Sequence, residues 1–141
     1  MSTNFEVKVT HQITREQVGN LLSSAFEGGS NYWYRIEEFH KPSVYQFNYG
    51  ADLGKEAGYF KQIDYPLNPD GYLVVSDYHG ADDGEVKKRT LSSHSIKRGL
   101  RLMSESKDYA HHWRDLLAED DDQTTADVFL QFCLFGDVVY G

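Results

Sequence analysis

The segment TTADVFLQFCLF, residues 124–135, decides the fold because it predicts a helix with apolar side chains on two sides. At helical spacing, one side carries Ala126, Phe129, Leu130 and Cys133, and the other carries Val128, Phe132 and Phe135. A helix that is apolar all round is normally buried. We therefore expect this helix, opened by Thr124 or Thr125 and ended by Gly136, to lie at the centre of the molecule.

Two further helices are predicted from capping residues and apolar spacing. Thr14 followed by Gln17 is the pattern of a capping box, and apolar residues then recur at helical spacing until the pair Gly28 and Gly29. Residues 109–118 predict another helix. It directs three apolar side chains inward: Trp113, Leu116 and Leu117.

The strands are predicted by alternating or β-prone residues bounded by turn residues. Four segments qualify: residues 5–10, 32–38, 72–77 and 86–91. The first alternates Phe5, Val7 and Val9 with polar residues, and the last two are joined by a glycine-rich turn at 80–84 that suggests a hairpin. Residues 138–140 would either pair as a closing strand or pack against another subunit.

These elements predict an α+β fold in which a small antiparallel sheet packs with three to four helices. With 141 residues, the chain is the size of one domain, so we expect a single domain over residues 1–141. Residues 40–71 hold all three prolines, several glycines and many tyrosines, with little periodicity. They predict an elaborated loop.

The composition limits the classes of partner. The net charge is −8, from 22 acidic residues against 14 lysines and arginines, and this charge disfavours binding to duplex nucleic acid. The single cysteine, Cys133, excludes an intramolecular disulfide. No N-terminal apolar run resembles a signal peptide, and no stretch approaches the roughly 18 apolar residues that span a membrane. The sequence therefore predicts a cytoplasmic protein that does not bind membranes.

The positive charge is concentrated in one segment. Six lysines and arginines fall within residues 87–101, and no acid lies within residues 86–104. His94, Lys97, Arg98 and Arg101 follow the spacing that places side chains on one helix face. We call these four residues the basic stripe. It suits phosphate recognition, since arginine supplies a planar fork of donors and lysine a point charge. The alternative is a solvated helix face balanced by acids elsewhere.

Gly99 lies inside this predicted helix, which Ser92 or Ser93 can cap. Glycine in a helix interior costs about 1 kcal/mol relative to alanine. Its presence suggests that a backbone, a ligand or a second subunit approaches closely at that point.

A second candidate site follows the first helix, where a flexible turn combines an amide, aromatic rings and an arginine. We call it the aromatic turn; its candidate ligand-binding residues are Asn31, Tyr32, Tyr34 and Arg35. Aromatic faces stack on bases for about 1–3 kcal/mol each, an amide can read a base edge and arginine can bind a phosphate. The alternative is a glycine cap that leads into an aromatic strand of the core, and we favour it for Trp33.

The sequence offers little support for catalysis. His111 and Asp115 share a helix face, and His112 adjoins them, but no third ligand follows at a recognisable spacing. We expect a surface helix there, and no catalytic residue, metal or cofactor. A small metal-dependent hydrolase built on these three residues is the least favoured hypothesis.

Three stretches of the chain resemble a family of small phage and prophage proteins. They are EGGSNYW at 27–33, KRGL at 97–100 and DVFLQ at 127–131, the last continuing into FGDVVYG at 135–141. Within that family the chain most resembles the first-described Thoeris anti-defence sponges, which sequester cyclic ADP-ribose isomers made by bacterial TIR-domain enzymes. Some relatives also capture cyclic oligonucleotides at a separate site. The residues at 40–71 depart from the shorter members.

The resemblance implies a non-catalytic binding protein in the cytoplasm of an infected bacterial host. It implies a homo-oligomer, a dimer or higher, with nucleotide pockets at subunit boundaries. The aromatic turn and the basic stripe are the parts of this sequence that would carry such a pocket. An alternative hypothesis rests on the charge of −8: an acidic, protein-directed inhibitor that mimics nucleic acid and occupies a defence nuclease.

Overall fold

The computed structural model describes residues 4–44, 63–77 and 87–141. It confirms the predicted α+β class, because a three-stranded antiparallel sheet packs with helices in one small chain. In chain order the elements are α1 Arg15–Ser24, β1 Arg35–His40, β2 Tyr72–Ser76, β3 Lys88–Ser92, α2 Ser93–Glu105, α3 Ala110–Leu117 and α4 Gln123–Phe135. A π-helical turn, Ala25–Gly29, continues α1, and a short 3-10 helix covers Tyr65–Leu67.

α4 is the central helix, as its sequence predicts. Residues 125–134 are all buried, and the helix packs against both α1 and α2. It begins slightly earlier than predicted, because Asp122 caps it instead of a threonine: the Asp122 side chain accepts a 2.8 Å hydrogen bond from the Thr125 N–H. Gly136 ends it in the left-handed conformation, with φ 77°.

The glycine pair after α1 allows this helix to lie against the start of α4. The Thr14–Gln17 capping box is present, and the helical chain continues to the glycine pair as predicted. A Cβ atom added to Gly29 would collide with the backbone carbonyl oxygen of Gln123. The pair therefore permits close packing as well as ending the helix.

Gly99 marks a similarly close approach between α2 and α4. A Cβ atom on Gly99 would lie 2.7 Å from the Cα of Cys133, far inside normal contact distance. The close neighbour that the sequence suggested is therefore the backbone of α4.

The sheet has the order β1-β2-β3, with each neighbouring pair antiparallel. Its three strands lie at or within three residues of the predicted positions. Leu73, Val75 and Leu91 are buried and join the core. The predicted turn at 80–84 and most of the predicted loop, residues 45–62, lie outside the described residues.

The predicted strand at residues 5–10 is wrong. The segment has no strand pairing, and Phe5, Val7 and Val9 are 95%, 80% and 67% exposed. Alternation of apolar and polar residues favours a strand only when a sheet edge is available to pair with it. In the described sheet the outer edges of β1 and β3 are unpaired, but the segment pairs with neither of them, and Val9 lies beside Lys97 and Trp113 on the helices instead.

The end of the chain is held by a side chain and not by a closing strand. The Gln131 Oε1 accepts hydrogen bonds from the N–H groups of Val139 and Tyr140, both 2.8 Å, and its Nε2 donates to the Tyr140 carbonyl at 3.0 Å. The Tyr140 ring stacks on Trp33 with centroids 5.6 Å apart. Gln131 thus supplies the donor and acceptors that a neighbouring strand would have supplied.

Candidate functional site

The basic stripe lies on the outer face of α2, as predicted. Ser92 caps this helix through a reciprocal pair of hydrogen bonds with Ser95. Ile96 and Met103 are buried on the inner face, whereas all four stripe residues are exposed. The helix therefore separates an apolar packing face from a cationic outer face.

Two of the four stripe residues have partners within the protein. Arg98 donates from Nη2 to the carbonyl of Cys133 at 2.9 Å, in the last turn of α4, where carbonyls lack helical partners. Arg101 lies 3.7 Å from Glu105 in an exposed ion pair, which contributes only about 0.2–1 kcal/mol. Among the described residues, no carboxylate pairs with His94 or Lys97.

Three adjoining depressions follow α2, and Lys97 lines all of them. The first, about 360 Å³, is lined by the basic stripe alone. The second, about 290 Å³, is lined by Val9, His11, Ile13, Lys97, Leu100, Arg101, Ser104 and Trp113. The third, about 210 Å³, is lined by Ile13, Arg15, Val18, Pro66, Leu67, Ser93, Ile96, Lys97 and Leu100. We call the three together the α2 groove. It joins a cationic end to an apolar end.

The aromatic turn packs against α4 and lines none of these three depressions. Tyr34 is half-buried, contacts the Phe26 ring edge-on and donates its hydroxyl to the Phe26 carbonyl. Asn31 is exposed and donates to the Glu27 carbonyl at 3.1 Å. Among the described residues, none of the three depressions is lined by both the aromatic turn and the basic stripe.

Arg35, the last candidate in the aromatic turn, also lies away from the groove. It begins β1 and forms an exposed contact of 3.6 Å with Glu37. Its side chain remains largely open to water, so it is not part of the core.

Asp127 explains why the aromatic turn packs inward. Its buried carboxylate accepts three hydrogen bonds: from the Ser30 hydroxyl at 2.7 Å, the Tyr32 hydroxyl at 2.6 Å and the Trp33 indole N–H at 2.8 Å. Trp33 is fully buried, which confirms its predicted place in the core. Burial, followed by the bond to Asp127 and the charge on that residue, raises the pKa of Tyr32. The Tyr32 hydroxyl is thus a neutral structural donor, although 39% of the residue stays exposed.

The sequence did not identify His11 and Trp113 as site residues. The two rings meet nearly at right angles, at 77°, with centroids 6.0 Å apart, and both line the second depression beside Lys97 and Arg101. Trp113 was predicted to face inward and is in fact half-buried. No local pattern distinguishes His11, whose position depends on how the N-terminal segment crosses α2.

A metal site and a membrane-spanning helix each have a characteristic geometry with which the described residues can be compared. Among these residues, no group of three or more potential ligands is placed to hold a metal ion. His112 shares a 2.9 Å hydrogen bond with the Thr125 hydroxyl. No helix among these residues is both long and apolar enough to cross a bilayer.

The single cysteine has the properties of a core residue. Cys133 is fully buried, and burial strongly raises the pKa of its thiol, although the charge of Arg98 opposes the shift. A thiol held neutral in this way is a poor nucleophile.

No protein-family model matches the chain, and neither the curated proteins nor the solved structures include a significant match to it. The resemblance to anti-defence sponges therefore rests on the sequence motifs alone.

Proposed function

We propose that the chain is a non-catalytic binding protein that captures a phosphate-bearing cyclic nucleotide on the outer face of α2. The observation that carries the proposal is the basic stripe: four exposed cationic or titratable side chains on one helix face of a chain with net charge −8. Together they line one depression of about 360 Å³. A local positive field of this kind attracts a compact anion even when the whole protein is acidic.

The charge that Lys97 and Arg101 can offer a ligand distinguishes this face from a helix face that acids neutralise. Lys97 has no carboxylate partner among the described residues, and the Arg101 pair is exposed and easily exchanged for a ligand phosphate. Arg98 uses one nitrogen for the Cys133 carbonyl, which fixes the direction of its guanidinium group. A guanidinium group that is already oriented loses less entropy when it binds an anion.

The biological role that we propose is the one that the sequence resemblance implies. The protein would be a phage-encoded sponge that sequesters a cyclic nucleotide defence signal, a cyclic ADP-ribose isomer or a cyclic oligonucleotide, in the host cytoplasm. Such a sponge acts by mass action and must bind below the signal concentration. Sub-micromolar binding corresponds to more than about 8 kcal/mol, which several charge-assisted hydrogen bonds and one stacked ring can supply.

A homo-oligomer is part of this proposal. The aromatic turn and the basic stripe lie apart in one chain, so a pocket that uses both would need a second copy. Tyr32 is 39% exposed and the Arg35 side chain 65%, and both could meet a neighbouring copy.

The decisive experiment is isothermal titration calorimetry against cyclic ADP-ribose isomers and cyclic di- and trinucleotides. The test variant is Lys97→Glu with Arg101→Glu; the matched control is Lys41→Glu with Lys107→Glu, which changes the charge equally at exposed positions outside the α2 groove. We expect tight binding in the parent and the control, and none in the test variant. Equal binding in both variants, or no heat with any ligand, would refute the proposal.

The fate of the ligand separates capture from catalysis. After binding, heat denaturation should release the nucleotide unchanged, as chromatography would show. Recovery of a cleaved product would identify an enzyme instead. The acidic-inhibitor hypothesis predicts the opposite mutational pattern: changes at the exposed Glu119 and Asp120 would abolish binding to a basic protein partner, and changes at Lys97 and Arg101 would have little effect.

A further inference from the structure

We infer that the base of the captured nucleotide binds in the second depression of the α2 groove, against Trp113 and His11, while its phosphates bind Lys97 and Arg101. This inference rests on the proposed function and adds its specificity-determining residues. Within a single chain, Trp113 and His11 then take the stacking role that the sequence suggests for Tyr32 and Tyr34.

The second depression brings aromatic rings together with cations. Its lining holds two aromatic rings, from α3 and the N-terminal segment, and two cations from α2. The rings are in edge-to-face contact, at 77°, so a planar base that stacks on one ring presents its edge toward the other. Leu100, which also lines this depression, adds an apolar contact.

The phosphate positions follow from the residues that the depressions share. Lys97 and Arg101 line both the second depression and the first, which is lined only by the basic stripe. A ligand with its base on Trp113 therefore reaches the cations through its sugar and phosphates, along the axis of α2. The second depression, about 290 Å³, is close to the lower end of small-molecule sites, and the first extends it.

The tyrosines of the aromatic turn are poorly placed for this task. The hydroxyl of Tyr32 donates to Asp127 and that of Tyr34 to the Phe26 carbonyl. The Tyr34 ring is packed edge-on against both Phe26 and Trp33. Trp113 is only half-buried, and no ring other than that of His11 is in contact with it among the described residues.

The test uses three probes whose chemistry separates the parts of the site: ADP, inorganic pyrophosphate and dodecyl phosphate. ADP carries a base and phosphates, pyrophosphate only the phosphates, and dodecyl phosphate an apolar chain that suits the apolar end of the groove. Binding is followed by calorimetry and by tryptophan fluorescence. The fluorescence should respond through Trp113, since Trp33 is fully buried.

We expect ADP to bind more tightly than pyrophosphate. Trp113→Leu should weaken ADP binding by roughly 5- to 150-fold, the range that loss of one stacked base gives, and leave pyrophosphate binding unchanged. Trp113→Phe should restore most of the ADP affinity. His11→Ala should weaken ADP binding about 5-fold, and because His11 is exposed this variant should fold even if Trp113→Leu does not.

The outcomes separate this inference from the proposed function. If Lys97→Glu with Arg101→Glu abolishes binding while Trp113→Leu and His11→Ala leave ADP affinity unchanged, anion capture stands and the base site is wrong. Binding of dodecyl phosphate without binding of ADP would assign the groove to an amphiphile and overturn the inference. If the parent binds a cyclic nucleotide in calorimetry but none of these probes, the inference alone is overturned; if it binds neither, both are overturned.

Discussion

Asp127 should be among the most sensitive positions of the chain. Asp127→Ala would leave three donors without their acceptor: the Ser30 hydroxyl, the Tyr32 hydroxyl and the Trp33 indole N–H. Ser30 and Trp33 are fully buried, so water cannot replace the carboxylate there, whereas Tyr32 is partly exposed and can turn to water. The variant therefore creates two orphaned buried donors.

The expected magnitude follows from those two donors. Each buried donor without an acceptor costs about 1–3 kcal/mol, which gives about 2–6 kcal/mol for the pair. Alanine favours a helix interior over aspartate by roughly 0.7 kcal/mol, which offsets a small part. We expect a net loss of about 2–5 kcal/mol in the free energy of unfolding, a large share of the roughly 5–15 kcal/mol that domains possess.

Asp127→Asn should be much milder, because a single oxygen, Oδ1, accepts from both Ser30 and Trp33. An amide carbonyl in that position keeps both buried hydrogen bonds. Its NH₂ group then faces the Tyr32 hydroxyl, which can reverse its role and accept. We expect a loss of about 1 kcal/mol for this variant.

Urea unfolding followed by circular dichroism measures these free energies, with Asp120→Ala as the control at an exposed acid. The control should stay within about 0.5 kcal/mol of the parent. An Asp127→Ala variant as stable as the control would show that the three hydrogen bonds do not stabilise the fold. An Asp127→Asn variant as unstable as Asp127→Ala would show that the charge matters and the number of acceptors does not.

Three other predictions follow from packing and from titration. Gly99→Ala should destabilise the fold by about 1–3 kcal/mol in the same assay despite alanine's better helix propensity, since the new methyl group meets the α4 backbone. Adding Cys133→Ala should not restore the stability, and full restoration would contradict the reasoning. Burial raises the pKa values of Cys133, Tyr32 and Tyr140 from ordinary values of 9.0, 10.0 and 10.0, so the unfolded chain binds fewer protons than the folded chain at high pH. In urea unfolding between about pH 8 and 11, the free energy of unfolding should therefore fall above about pH 9. A flat profile would refute this. Burial, then the charge of the neighbouring His111, lowers the pKa of His112, although Asp122 and Asp115 oppose the shift. The free energy of unfolding should therefore fall as the pH drops below the ordinary pKa of 6.5, and His112→Gln should remove this pH dependence.

Gly99 and the central helix show which features of this fold are predictable from sequence. A glycine in a helix interior is unfavourable by itself, so its presence implies a neighbour that excludes a Cβ atom, and the Cys133 backbone is that neighbour. The apolar residues on both sides of α4 similarly leave burial as the only stable arrangement. In both cases, the free-energy cost of the local sequence in any exposed position leaves few structures that the chain can adopt.

The segment at residues 5–10 shows the limit of local patterns. Its alternation is consistent with a strand, but a strand also needs a pairing partner, and no local pattern states whether the chain carries the segment to a sheet edge. The same limit applies to the candidate site. The aromatic turn and the basic stripe each have a plausible binding chemistry, yet whether they meet depends on which faces of α4 the aromatic turn and α2 pack against. Asp127, the one charged residue of α4, decides that for the aromatic turn.

A final prediction concerns which cations of α2 contribute to ligand binding alone and which also stabilise the fold. Lys97 and Arg101 are exposed, and the only ion pair between them and the rest of the described chain is the exposed contact of Arg101 with Glu105. Replacing both by glutamate should change the free energy of unfolding by less than about 1 kcal/mol. Arg98 differs, since its guanidinium group donates to the Cys133 carbonyl and so joins α2 to the end of α4.

Arg98→Glu should therefore cost about 1–3 kcal/mol of stability in addition to any loss of binding, because it removes a donor and places a carboxylate beside a carbonyl oxygen. Arg98→Lys should recover part of the stability, since an ammonium group can still donate to that carbonyl. Unfolding in urea compares the three variants directly. If Arg98→Glu is as stable as the Lys97→Glu, Arg101→Glu variant, the bond to Cys133 has no structural role, and all four residues of the basic stripe are then available to a ligand on equal terms.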